Sequence, residues 1–394
     1  MRSTSAAAVA PGVDLGLHAR HLVRLHDAVL SGSRPPEKPR PVVARSWARM
    51  MSLGLDPDRP LHRDILPIDQ VAARRSESAL ALVADQIRSV LTRVADASLF
   101  IVVITDRDGV ILWREGSPAI LRQADSLGFA LGAQWAETYV GTNAIGTALA
   151  EQAPVQLFSA EHFEQRQHPW YCTAAPVHDP RDGSLLGIVD VSGPAMTLHP
   201  ALVALVDSAV QLAQGALWQH HERQLRRLRE QSGHLIATAG SPMLLVDDHG
   251  WVAHRAGVSV RDRIAAPRAD RPLAVPGLGM CLPERVGDGW LVRPAPSPRR
   301  LSARLGRDDT LHLAGGREDQ PWTVPLSRRH AQILRLLAGA PQGMTAAALS
   351  TRLFGDGEHE VAVRAEISRF RRAAGALITA APYRIADGID VSCD

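Results

Sequence analysis

Lysine is nearly absent from this chain: among 44 Lys and Arg residues, only Lys38 is a lysine. Together with abundant Ala, Gly and Pro, that bias looks like a GC-rich coding sequence. The number of arginines therefore carries little meaning, and only their placement counts. The net charge of +3 is too small to argue for nucleic acid by itself. Aromatics make up 4%, so the core must be built mostly of Leu, Val and Ala. The three cysteines, Cys172, Cys281 and Cys393, are scattered, with no CxxC pair or Cys/His grouping of zinc spacing. No metal or other cofactor is expected, and a reducing cytoplasm is the expected compartment. No apolar run reaches the roughly 18 residues of a membrane helix. The opening "MRSTSAAAVAPG" lacks the continuous apolar core of a secretory signal.

What is present is ordinary globular stock, 45% hydrophobic and 22% charged, in a chain long enough for two to four domains. Residues 1–16 read as disordered, 17–30 as a short helix and 31–41 as a Pro-rich linker. The stretch 42–57 reads as a helix closed by Gly54. Residues 68–98 read as one long amphipathic helix, with Leu80, Val83, Ile87, Val90, Leu91 and Val94 on the 3.6 period. Two apolar runs joined by Asp-Arg-Asp-Gly, 99–113, signal a hairpin. After a helix near 143–151 come strands at 153–159, 170–180 and 185–193, then a long helix at 199–231. The order predicts an antiparallel sheet with helices on one face.

The motifs "W-x-E…GTNAIGTAL…PV…EHF…W-x-C-x-A-A-P-x-H-D-P…G-x-L-L-G-x-x-D-x-S-G…HP" and the upstream "RSWARMMSLGLDP" together cover about 42–230. In this order they resemble the GAF domain and leader helix of acetoin-catabolism-type transcriptional regulators. The resemblance implies a small-molecule or redox sensor fold, of a kind in which many members dimerise through flanking helices. Regulators of that type carry an ATP-driven motor domain, but no G-x-x-x-x-G-K-[ST] phosphate loop occurs in this sequence. ATP-dependent activation is therefore not carried over. Residues 234–298 weakly resemble a degenerate PAS-like domain.

The last 70 residues divide into three helices and a hairpin. Ser327 caps 328–338, Thr345 caps a helix to Phe354, and a third helix spans about 359–374 and stops at Gly375. "YRIA" and "IDVS" read as two strands joined by Asp387-Gly388. This pattern is a winged helix-turn-helix, similar to response-regulator winged helices, and 300–324 would supply a small leading sheet. On the third helix Val363, Ile367, Phe370 and Ala374 form one buried stripe. Arg364, Ser368, Arg371 and Arg372 then point outward and Arg369 lies at the edge, as a major-groove reader requires; Arg384 sits on the wing. A solvated basic helix is the bland alternative.

In the sensor, Gly141 fits a sharp turn and Thr142 a helix N-cap. Asn143 and Thr147 lie one turn apart on a small polar face that can lie over a ligand; close helix–sheet packing explains the same residues equally well. Trp135, Tyr139, Phe163 and Trp170 are candidate pocket walls, or plain core. His162, His168 and His178 match no common metal spacing. Asp190, inside the apolar run "GIVDVSG", needs a partner, which can be a structural hydrogen bond or a ligand hydroxyl.

The expected architecture is α+β multidomain: N-terminal tail and leader helices over 1–67, a GAF sensor with flanking helices over 68–231, a PAS-like unit over 232–298 and a winged helix over 299–394. The expected function is a one-component transcriptional regulator, not an enzyme. It would be a homodimer in which an unidentified effector alters binding to promoter DNA, with RNA polymerase as a further partner. The rivals are a protein-interaction adaptor and a GAF enzyme such as a sulfoxide reductase. The latter needs clustered reactive cysteines, whereas Cys172 stands alone in its region.

Overall fold

The structure is a computed structural model that describes residues 7–58, 64–92, 99–238, 240–269, 271–294, 301–314, 322–375, 377–380, 382–386 and 388–394. It divides into two compact units, Met1–His221 and Glu222–Asp394. It is α+β, with three separate sheets. Among the described residues, no helix is long and apolar enough to cross a membrane.

The first unit opens with helices α1 (Leu15–Leu30), α2 (Pro41–Ser52), α3 (Ile68–Glu77) and α4 (Ala84–Thr92). Strands β1 (Ile101–Asp106) and β2 (Ile111–Gly116) follow, then α5 (Pro118–Ser126), α6 (Glu137–Val140) and α7 (Ala144–Glu151). Next come β3 (Val155–Phe158), β4 (Trp170–His178), β5 (Leu185–Pro194) and α8 (Leu202–Gln231), inside which the division between the units falls. The sheet order is β2-β1-β5-β4-β3, antiparallel throughout.

Three expectations change here. Helices cover both faces of the sheet, not one. Val102, Ile104, Val189 and Val191 pack with residues of α1, α4 and α8, while Ile101, Val103 and Ile188 pack with residues of α2, α5 and α7. Every residue of β1 is buried, so its apolar run is continuous because both faces need it. The long helix expected over 68–98 is broken at Ser78, whose backbone is extended and whose hydroxyl accepts from Leu80 N–H to start a short 3₁₀ turn. Its last part, 93–98, lies outside the described residues. The segment after residue 6 is also packed: Ala8 and Val9 are buried, and Ala8 N–H donates to Gln156 Oε1 at 2.9 Å.

The second unit contains α9 (Gly233–Ala237) and strands β6 (Met243–Val246), β7 (Val252–Ala256), β8 (Leu273–Val275), β9 (Gly279–Val286) and β10 (Gly289–Pro294). These form an antiparallel sheet in the order β7-β6-β10-β9-β8 around Leu244, Val246, Trp290 and Val292. Strands β11 (Leu301–Leu305), β12 (Thr310–Ala314) and β13 (Trp322–Pro325) precede helices α10 (Arg328–Ala338), α11 (Ala346–Phe354) and α12 (Glu360–Ala374), and β14 (Ile389–Cys393) ends the chain.

Ser327 and Thr345 cap α10 and α11 through their hydroxyls, as their positions predict. The hairpin, however, is shifted. Thr379 N–H donates to Arg384 O at 2.8 Å and Ala386 N–H to Leu377 O at 2.9 Å, so it spans 377–386. Strand β14 pairs in parallel with β11 instead of with "YRIA", and the sheet order is β13-β12-β11-β14. Ile389 is buried in the core that holds Leu305 and Leu311. That apolar contact competes with the local turn signal, whose Asp387 lies outside the described residues.

Candidate functional site

The helix that opens with Gly-Thr-Asn is built for close approach. Gly141 has φ +75°, a left-handed conformation that glycine adopts without strain. Asn143, not Thr142, is the N-cap of α7: its Oδ1 accepts from Gly146 N–H at 2.9 Å and its Nδ2 donates to Gly141 O at 2.8 Å. A Cβ on Gly146 would sit 2.5 Å from Glu137 N and 2.8 Å from Trp135 O. Glycine is therefore required inside this helix by the backbone of α6 beside it.

The polar face expected over a ligand divides in two. Thr142 and Thr147 bond away from the cavity, into a network centred on Glu137. Glu137 Oε1 accepts from Ser46 (2.5 Å), Thr147 (2.7 Å) and Arg49 Nη2 (2.9 Å), while Oε2 accepts from Arg49 Nε (2.7 Å). Thr142 Oγ1 lies 2.7 Å from Ser46 Oγ. This network fastens α2 to α6 and α7. Arg45 and Arg49 also hold Glu151, keeping its carboxyl below the usual range, with the hydrogen bond from Arg45 as the main cause. Sequence reading misses Ser46, Arg49 and Glu137, because Ser46 and Arg49 lie about 90 residues from Glu137 along the chain.

Asn143 stays with a cavity between α7 and the sheet. Its walls are Leu127, Phe129, Trp135, Ala144, Ile145 and Trp170, with Asn143, Gln167, Cys172, Asp190 and Ser192 as the polar or polarisable members. Of the candidate ligand residues, Trp135, Asn143, Trp170 and Asp190 meet here, whereas Thr142, Thr147 and His162 do not line the cavity. Tyr139 is 38% exposed and does not line it. Phe163 packs against Gly141 in the core, and His178 lies at the end of β4. The space open to a water's centre is about 20 Å³, room for one or two waters. Phe129 and Trp135 meet edge to face, with ring centroids 4.4 Å apart.

Asp190 lies wholly out of solvent. Ser192 O–H donates to its Oδ2 at 2.5 Å, while Oδ1 has no hydrogen-bond partner. Burial raises its pKa to about 7, and the Ser192 hydrogen bond offsets only part of that rise. Behind the cavity, burial lowers the His162 pKa to about 4, so the ring is neutral at neutral pH. His162 Nδ1 lies 2.9 Å from Ser159 O, which can only accept, so Nδ1 carries the proton. Nε2 is then the acceptor for the Cys172 thiol at 3.2 Å. Burial pushes the Cys172 pKa well up, away from thiolate chemistry. His168 is likewise pushed down to about 4, first by burial and then by His26. Among the described residues, no group of three or more His, Cys, Asp or Glu is arranged to hold a metal ion.

In the second unit, α12 buries Val363, Ile367, Phe370 and Ala374, the predicted stripe. Val361, Arg364, Ala365, Ser368, Arg369 and Arg372 are exposed. Arg364 pairs with Glu360 and Arg369 with Glu366. Arg371 is not on the open face; it is half-buried, and its Nε donates to Ile378 O at 3.1 Å. The outward line is therefore Ser368 with Arg372, flanked by Arg364 and Arg369. Arg384 is half-buried in the hairpin.

Residues 23–214 match the family described as MimR, N-terminal domain. A Rhodococcus erythropolis protein, described as an uncharacterized 47.3 kDa protein in the thcA 5' region, is 31% identical over 387 residues, 96% of this chain and 72% of its own length. The Bacillus subtilis acetoin dehydrogenase operon transcriptional activator AcoR is 34% identical over 194 residues, 48% of this chain and 31% of its own. The Mycolicibacterium goodii propane 2-monooxygenase operon transcriptional activator MimR is 30% identical over 183 residues, 45% of this chain and 30% of its own. The chain thus spans less than a third of the length of either activator.

Proposed function

The chain belongs to the family of the Rhodococcus erythropolis 47.3 kDa protein, and from that premise we propose that it is a transcriptional regulator of the acetoin- and MimR-activator type, not an enzyme. In this reading the first unit is a GAF sensor whose cavity takes a small effector, and 299–394 is a winged helix that binds promoter DNA. The segment 232–298 is a PAS-like spacer. The protein works in the cytoplasm as a homodimer, with α8 as the pairing helix and RNA polymerase as the downstream partner. Coupling requires the effector to favour one of two dimer states, since equal affinity for both would shift nothing.

The observation that carries the reading is the open face of α12, where Ser368 and Arg372 stand between Arg364 and Arg369 above a packed apolar stripe. Arginine pairs with both guanine acceptors or with phosphate, and serine with either base or backbone. The test is titration of the full chain against DNA upstream of its own gene and a scrambled duplex, at two salt concentrations. Binding that prefers the native duplex and weakens steeply with salt is expected. Equal, salt-insensitive binding to both, or none, would sink this reading in favour of a protein-binding adaptor.

A further inference from the structure

We propose that the cavity of the first unit takes a small uncharged hydroxy compound, with its hydroxyl on Asp190 Oδ1 and its carbon chain against Phe129, Trp135 and Trp170. This rests on the reading of that cavity as an effector site and names the chemistry the site selects.

Three observations converge. Asp190 is fully buried, lines the cavity and leaves Oδ1 without a hydrogen-bond partner, while Oδ2 is held by Ser192. An unmet polar atom in an apolar enclosure is costly and is relieved by any group that supplies the missing bond. The remaining walls are mostly aromatic and aliphatic, so the rest of the occupant must be hydrocarbon. The space open to a water's centre is about 20 Å³, so an occupant of a few heavy atoms already needs the walls to give.

The choice of a hydroxyl follows from what Oδ1 can be. With a pKa near 7, Asp190 changes between proton donor and pure acceptor around neutral pH. A hydroxyl donates and accepts, so it satisfies Oδ1 in both states. A ketone only accepts and fits the protonated acid alone. An ammonium group fits the anion alone, and must desolvate a charge with several N–H groups and one free acceptor. A carboxylate meets a like charge. The neighbouring titratable groups leave this choice to Asp190. Burial raises the pKa of both Cys172 and Tyr171 on β4 and lowers His162 and His168 to about 4, so all four stay neutral between pH 6 and 8. Asn143, Gln167 and Ser192 do not titrate.

The experiment uses the full chain and a three-carbon series: 1-propanol, acetone, propylamine and propionate. Binding is followed by calorimetry and ligand-observed NMR at pH 6 and pH 8. We expect 1-propanol to bind tightest at pH 7 and to change less than about twofold between the two pH values. Acetone should weaken about tenfold and propylamine strengthen about tenfold over the same step, following the protonated and ionised fractions of a group with pKa near 7. Propionate should not bind. Asp190→Ala should weaken 1-propanol about tenfold or more. Asp190→Asn, which keeps a donor and an acceptor, should retain alcohol binding and abolish the pH responses. The proposal is overturned if acetone or propylamine outbinds 1-propanol at pH 7, if no member binds, or if Asp190→Ala binds alcohol like wild type while remaining folded by circular dichroism. Native-promoter binding with no alcohol binding would remove this inference and leave the regulator reading standing; alcohol binding without promoter binding would do the reverse.

Discussion

Glu137 and Asp190 are both buried carboxylates of the first unit, 5% and 0% exposed. Both oxygens of Glu137 are loaded by Ser46, Thr147 and Arg49. Asp190 lines a cavity and has one oxygen held by Ser192 and the other without a hydrogen-bond partner. The same functional group therefore meets two different environments. A carboxylate with donors on both oxygens is suited to holding structure, because any rearrangement breaks several bonds at once. A carboxylate left half-satisfied keeps the capacity to bind. The second unit repeats the contrast in arginines: Arg371 is tied to Ile378 O, whereas Arg372 is exposed, with no side-chain partner among the described residues.

The largest expected effect is the part of the pH response that Asp190 contributes. Its pKa is 3.8 in the unfolded chain and about 7 in the fold. Between those values the folded protein keeps a proton that the unfolded chain has lost, so raising pH through the window costs stability, and the loss is complete above about 7. His162 and His168 act in the opposite sense. Their pKa values fall from 6.5 to about 4, so they add stability as pH rises from about 4 to 6.5. Comparing wild type with Asp190→Asn cancels the histidines. The variant should gain on wild type from pH 4 to 7, approaching roughly 4 kcal/mol, and then level off. Urea unfolding at successive pH values reads this directly. A difference that is flat with pH would erase the contrast between the two carboxylates.

Next in size is Glu137→Ala. It removes an acceptor shared by Arg49, Ser46 and Thr147, which costs about 3 kcal/mol, toward the low end for a broken buried pair because Arg49 is partly exposed and keeps Glu151. Chemical denaturation at neutral pH should show the loss, with α2 released first in hydrogen exchange. A change below the error of the measurement would mean that the network holds nothing.

Gly146→Ala places a methyl against the Glu137 amide and the Trp135 carbonyl. Backbone has little room to retreat, so about 2 kcal/mol should be lost. A thermal melt checks it; an unchanged or raised midpoint would show that α7 and α6 are not held as close as described.

The smallest effect sharpens the arginine pair. Arg371→Ala should cost about 1 kcal/mol of stability and leave the salt slope of DNA binding unchanged. Arg372→Ala should do the reverse, leaving stability intact and flattening that slope by about one unit. If both variants bind like wild type, α12 does not lie on DNA.

Much of the fold is legible in the sequence, and the reasons are local. The Asp-Arg-Asp-Gly turn between β1 and β2, the hydroxyl caps at Ser327 and Thr345 and the stripe on α12 all follow from a few consecutive residues. Where reading fails, a competing contact intervenes, either local, as at the Ser78 hydroxyl, or distant, as at β14. The 68–98 helix breaks at Ser78. The Asp387-Gly388 signal gives way to pairing of β14 with β11, some 90 residues upstream. Period-two alternation puts Ser192 on the face of Asp190, but only the strand register sets Cys172 opposite Ser192.

By itself the sequence determined where most of the helices and strands lie, that Asp190 is an anomaly within an apolar strand, and that Asn143 and Thr147 sit a turn apart. Tertiary structure decided what those anomalies face. It brought Ser46 and Arg49 onto Glu137 beside Thr147, and it left Asp190 with no donor beyond its strand neighbour Ser192 among the described residues. The physical reason is range. Backbone preference and periodicity act over one turn or one strand, whereas satisfying a buried polar atom depends on whichever remote group the packing brings within about 3 Å.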